Sequence, residues 1–199
     1  MLETKHAVRR TMALSDPPQQ SVRPDLRAGI AIRALSGEAR FSLRLDAVAA
    51  EAVGEAAGFR LDIPLNSHVG SGERSVARLG PNEWLLIAAD SEAEVVPGQV
   101  ETALAGHFYG LVDVGHRNVG IQVVGRHAPE VLNSGCPLDL AKEAFPTGSA
   151  TRTLLGKAEI VLMRLDDAPT YRVECWRSFA PYVHEYLLEA AREFEPVSR

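Results

Sequence analysis

The feature that most constrains this chain is an internal echo. Gly58-Phe59-Arg60-Leu61-Asp62-Ile63 aligns with Gly135-Cys136-Pro137-Leu138-Asp139-Leu140, matching Gly, Leu and Asp at one offset and pairing Ile63 with Leu140. Downstream, Ser75 to Gly80 resembles Ala150 to Gly156, and Trp84 to Ile87 resembles Ile160 to Met163, with a small insertion or deletion between the blocks. The period is far longer than that of solenoid repeats, so it indicates a duplicated α/β half rather than an array. Each half has more strand-like than helix-like segments. That favours an α+β fold with helices on one side of largely antiparallel sheets.

The local pattern fills in the halves. Phe41, Leu43 and Leu45 alternate with Ser42 and Arg44 as a half-buried strand should, after a looser alternation around Ile30 and Ile32. Asp46 is placed to cap an Ala-rich helix over Ala47 to Gly58, closed by a glycine suited to a left-handed C-cap. Asn66 to Arg74 reads as a polar loop, Val76 to Leu79 as a short strand, and Trp84 to Ile87 as a buried one after the turn Gly80 to Glu83. A second helix is predicted between Pro97 and Gly106.

In the second half, Val119, Ile121 and Val123 alternate up to Gly125, and a helix begins at Ala128-Pro129, where proline's missing N–H costs nothing. It stops at Asn133-Ser134-Gly135, and Cys136-Pro137 restarts an extended segment. Tyr171 to Trp176 is an alternating strand. Ser178 then caps a helix running to about Phe194, with Tyr182, Val183, Tyr186, Leu187 and Ala190 on its core face.

Residues 1–26 are read as a tail, because Ser15 to Asp25 carries three prolines and almost no large apolar side chains. The remainder divides at 27–110 and 111–199 into two pseudo-repeats of one compact unit. A net charge of -5 with no long basic run excludes the electrostatic footprint of a nucleic-acid binder. No apolar run reaches the roughly 18 residues of a membrane span, and a cytoplasmic protein is expected. Two cysteines without CxxC spacing, and six histidines without ligand spacing, indicate neither a disulfide framework nor a metal site.

Individual residues offer little chemistry. Cys136 follows the C-terminal end of a helix, where nothing lowers its pKa, and reads as a small buried hydrophobe. His116, beside Asp113 and Arg117, invites an acid/base role, yet Gly115 and Asn118 make its surroundings a turn, so a structural hydrogen bond or intersubunit contact is the expectation. There is no G-x-G-x-x-G after a strand and no P-loop lysine motif.

The blocks Val112 to His116, Gly125, Gly135 to Leu140, Phe145-Pro146, Arg152 to Gly156 and Arg177 to Ala180 together resemble the gamma subunit of heterotetrameric sarcosine oxidase, over about residues 38 to 194. That family is in turn similar to the folate-binding domain of aminomethyltransferases. The resemblance implies two duplicated ferredoxin-like halves, no catalytic residue, cofactor or metal in this chain, and an accessory role beside alpha, beta and delta subunits. The complex would use FAD, FMN, NAD and tetrahydrofolate to demethylate sarcosine to glycine oxidatively. The aminomethyltransferase folate loop carries glycines and a tyrosine-threonine pair, whereas Leu165 to Thr170 here has neither. Glu174 remains as a possible vestige of the acid, with a solvent-facing strand glutamate as the commoner explanation. The face expected to meet the alpha subunit comprises the 112–118 loop, the Gly135 to Asp139 turn and the Arg177 to Phe179 segment. His116, Arg117, Arg152, Arg177 and Phe179 are its candidates, arginine being enriched at interface hot spots. The proline-rich tail is expected to order there. Two alternatives are a stand-alone folate-binding aminomethyltransferase-like protein, and the small subunit of a related complex that oxidises N-methyl amino acids.

Overall fold

A computed structural model describes Leu14, residues 29–71 and residues 73–194. Apart from Leu14, the tail assigned to residues 1–26 lies outside the described residues. In chain order the elements are β1 (Ala31–Leu35), β2 (Glu38–Leu45), α1 (Ala47–Val53), β3 (Glu55–Ala56), β4 (Phe59–Arg60), β5 (Ser67–Ser71), β6 (Arg74–Gly80) and β7 (Glu83–Ala89). They continue with α2 (Val96–Ala103), β8 (Tyr109–Asp113), β9 (Asn118–Val124), α3 (Ala128–Asn133), β10 (Ala150–Leu155), β11 (Ala158–Asp166), β12 (Thr170–Trp176) and α4 (Ala180–Ala191).

Two five-stranded sheets carry the fold, ordered β5-β6-β7-β2-β8 and β10-β11-β12-β9-β1, with every pairing antiparallel. Read this way the two strand orders correspond one to one, and the duplication is explicit. The leading strand of each half is exchanged: β1 pairs with β9 of the second half and β8 with β2 of the first. The correspondence also moves the downstream match by one strand. β6 corresponds to β11 and β7 to β12, rather than to β10 and β11, because β5 is itself a strand where the sequence suggested a polar loop. Its residues Ser67, His68 and Gly70 hide it from any apolar pattern.

Alternation along the strands sorts side chains into three apolar layers. Phe41, Leu43, Trp84 and Leu86 face α1 and α2, whereas Ile121, Val173, Tyr171 and Leu162 face α3 and α4. Ala77, Leu85, Ile87, Val161 and Met163 fill part of the layer between the sheets. The halves share an anchor as well. Trp84 and Tyr171 hold the same place, second in β7 and in β12. Trp84 Nε1 donates to Leu61 O at 3.1 Å and the Tyr171 hydroxyl to Leu140 O at 3.5 Å. The segments Gly58 to Ile63 and Gly135 to Leu140 therefore recur because each is pinned by an aromatic ring of the central strand.

Several helix ends differ from expectation. Asp46 does cap α1, accepting from Val48 N at 3.0 Å and Ala49 N at 3.4 Å, but the helix stops at Gly54 (φ 70°), four residues before Gly58. Ala57 and Gly58 (φ 53° and 74°) form the turn of the β3–β4 hairpin, a conformation with both central residues at positive φ. α2 begins at Val96 and ends at Ala103. Ser178 caps nothing: Arg177–Phe179 is a short 3-10 turn, Phe179 takes the cap position of α4, and Pro181 sits in its first turn. Gly135 is glycine for a steric reason, since a Cβ there would lie 2.7 Å from the Tyr186 hydroxyl, which donates to Ser134 O at 2.8 Å.

A charged cluster between the sheets and the surface beside it

The other part of the inter-sheet layer is ionic. Alternation puts Glu38 and Arg40 of β2 on the inner face of the first sheet, opposite Arg172 and Glu174 of β12. The Glu174 carboxylate, 1% exposed, accepts from Arg40 Nε at 2.7 Å and Arg172 Nε at 2.8 Å. Glu38 receives Arg172 Nη1 at 2.8 Å and Arg40 Nη2 at 2.8 Å. Two cations thus meet two anions, and the cluster is neutral. Gly120 of β9 makes the room for it, because a Cβ there would fall 2.7 Å from Glu174 Oε1 and 2.8 Å from Arg40 Nη2. Burial pushes the Glu174 carboxyl up, but the Arg172 and Arg40 guanidiniums outweigh it and hold the group below the usual carboxylate range. The solvent-facing reading of Glu174 is therefore wrong. Strand alternation identified its face correctly, but that face is covered by a second sheet instead of water.

His68 of β5 occupies the same layer, with its backbone N–H donating to Gly148 O at 2.6 Å. Burial, aided by the Arg172 charge, lowers its pKa from 6.5 to about 4. The folded state then prefers neutral imidazole while the unfolded chain protonates near 6.5, so stability is full above that value and falls as pH drops towards 4. We expect about 2 kcal/mol to be lost between pH 7 and pH 5 through this group. Urea titrations at the two pH values should show it, and His68→Gln should flatten the dependence.

Both cysteines are buried and free of disulfide. Cys136 is 4% exposed, with its sulfur 3.8 Å from Thr153 Oγ1, and Cys175 is pushed up to about 12 chiefly by burial. Among the described residues no group of three His, Cys, Asp or Glu side chains is arranged to hold a metal ion, and no helix is long and apolar enough to cross a membrane.

The residues proposed for subunit contact are partly brought together. His116 and Arg117 are exposed in the turn between β8 and β9, and Arg177 N donates to Arg117 O at 2.6 Å, so the two loops are adjacent. His116 and Arg177 line one cavity, of about 180 Å³, which also holds Leu14 at its wall. Arg117 and Arg152 line another, of about 280 Å³, on the inner face of the second sheet. Arg152 pairs with Glu83, which also binds Arg44 at 3.0 Å. Phe179 is 39% exposed and lines neither cavity. Sequence reading passed over Trp176, 47% exposed with the Arg117 guanidinium 5.8 Å from its ring centre, and the half-exposed Leu154. An aromatic closing an otherwise buried strand, one residue before a predicted contact arginine, was the available signal.

The sequence pattern of the sarcosine oxidase gamma subunit family matches residues 43–193. The chain belongs to that family. Among curated relatives, this gamma-family chain is 29% identical over 171 residues to the sarcosine oxidase subunit gamma of Corynebacterium sp. (strain P-1), covering 85% of this chain and 79% of the relative. It is 30% identical over 123 residues to that of an Arthrobacter sp., covering 60% and 58%. One chain of the heterotetrameric sarcosine oxidase from Corynebacterium sp. U-96 has the same fold, with a TM-score of 0.73 at 23% identity over 85% of this chain and 87% of that one. The glycine cleavage system aminomethyltransferase T of Bartonella henselae shares the fold too. There the TM-score is 0.63 at 13% identity, covering 84% of the gamma-family chain and 50% of the aminomethyltransferase.

Proposed function

We propose that this chain is the non-catalytic accessory gamma subunit of a heterotetrameric sarcosine oxidase. In this reading its partners are alpha, beta and delta subunits, of which the large ones carry the FAD, FMN, NAD and tetrahydrofolate sites; the complex demethylates sarcosine to glycine oxidatively, while this chain supports assembly with the large alpha subunit. The observation that carries it is the gamma-family match over residues 43–193. The chemistry of the interior supports it as well. The deeply buried acid Glu174 is already neutralised by Arg40 and Arg172, and the most perturbed thiol is held protonated. His116, Arg117, Arg152, Arg177 and Phe179 serve the contact in this proposal.

Co-expression with the larger subunits tests it. A tag on this chain is expected to bring down flavin-bearing chains that elute with it as one complex, and the isolated chain should give no saturable heat with tetrahydrofolate. Saturable micromolar folate binding by a chain that captures no larger subunit would overturn the accessory role in favour of a stand-alone folate-binding protein.

A further inference from the structure

The inner face of the second sheet extends beyond the cover of the first. Along β12 the inward side chains Arg172 and Glu174 are buried, but the next one, Trp176, is 47% exposed, and on β10 Leu154 is 46% exposed. Between them lies the cavity of about 280 Å³, with Val161 in its lining. That is slightly below the roughly 300–1,000 Å³ of small-molecule sites, and suits one or two side chains from another polypeptide.

The charges around it are unequal in number. At the Trp176 end, Arg117 is exposed, stacked on the indole and steadied by its Nε bond to Asn118 Oδ1 at 3.1 Å, and no carboxylate among the described residues pairs with it. On the Leu154 side, Arg152 shares the carboxylate of Glu83 with Arg44, which leaves a second positive charge in excess. Against these stands one exposed acid, Glu159, which the registers place on β11 between Leu154 and Trp176. Two positive charges thus stand against one negative, and the planar fork of Arg117 suits two-point binding of an entering carboxylate.

We propose that this shelf receives an extended acidic segment of the larger partner subunit, with a carboxylate on Arg117 and a neighbouring apolar side chain against the Trp176 ring. The proposal rests on the accessory-subunit reading and makes Trp176 and Arg117 its centre, in keeping with the tryptophan and arginine bias of interface hot spots. His116 and Phe179 then lie on the rim.

The test is capture of the purified larger subunits by this chain on a biosensor, across a range of salt concentrations. Arg117→Glu and Trp176→Ser are each expected to weaken capture about 30-fold or more. Leu188→Ser, on the opposite face of the same sheet where α4 lies, should change it less than about threefold. Arg117→Gln keeps the side chain's size and should reduce the salt dependence of binding. Unchanged melting temperatures are expected, since both centre residues are exposed. Wild-type affinity in Arg117→Gln and Trp176→Ser overturns the shelf while leaving the accessory reading intact. Failure of the unmodified chain to capture any larger subunit overturns both. Self-association of the isolated chain that Trp176→Ser abolishes assigns the shelf to a second copy and overturns the proposed occupant.

Discussion

Replacing Glu174 with glutamine is expected to destabilise the protein by about 3–5 kcal/mol. The amide has the same shape, so the loss comes from charge. Arg40 and Arg172 would remain buried, 4% and 7% exposed, with Glu38 as their one remaining anion. Urea unfolding should show a lower midpoint at an unchanged slope, and a loss below about 1 kcal/mol would mean that water reaches the cluster. Replacing all four of Glu38, Arg40, Arg172 and Glu174 by methionine and leucine should recover most of the loss, because a buried ion network roughly balances its own desolvation cost. Acid should separate the variants too. The folded carboxyl of Glu174 is held below its ordinary 4.5, so its contribution is present above that value and disappears as pH falls through the folded one. The His68 loss comes earlier on the way down, between 6.5 and about 4. A Glu174→Gln protein should therefore keep the upper, histidine-linked decline and lack the lower one.

Trp84→Ala should cost a similar amount, about 3–5 kcal/mol. The indole is fully buried against Phe41, Leu43 and Leu86, and truncation empties the centre of the first half. Trp84→Phe isolates the hydrogen bond to Leu61 O from the packing, and about 1 kcal/mol beyond the change in volume is its expected share. Tyr171→Phe at the equivalent place in the second half should cost less, because its hydroxyl contact with Leu140 O is long, at 3.5 Å. Thermal melts of the three variants would rank them, and Tyr171→Phe costing more than Trp84→Phe would contradict the anchoring described for the first half.

Much of this architecture can be read from the residues. Alternation at Phe41, Leu43 and Leu45 and at Val119, Ile121 and Val123 located β2 and β9, Asp46 and Pro129 marked helix starts, and the echo of Gly58 to Ile63 at Gly135 to Leu140 exposed the duplication. The failures share a cause. Whether Glu174 faces water or a second sheet depends on a partner more than a hundred positions away, Arg40, that no local pattern signals. Arg172 and Glu174 sat two apart in an otherwise aromatic and aliphatic strand, which was the one local sign of a paired, covered face. The same holds for β5, whose polar sequence is stabilised by β6 and by backbone bonds to Gly148 and Asn66's partner Ala150. Of two glycines four residues apart, Gly54 and Gly58, the first ended α1 because the second was needed for the hairpin turn. At the candidate contact face, single residues such as Arg117 were visible, but their shared cavity with Trp176 arises only when β9, β12, β11 and β10 lie side by side.

The exchanged strands bear on how the chain is made. A ribosome releases β1 long before β9, so Ala31 has no partner until Val124 emerges, and the first sheet stays without its β8 edge until the linker after α2 has been synthesised. Neither half closes alone, and the final step of folding is a mutual clasp made across the chain's midpoint. For the same reason a single proteolytic cut between α2 and β8 should leave two fragments that migrate together until denaturant parts them, each still holding the other's outermost strand.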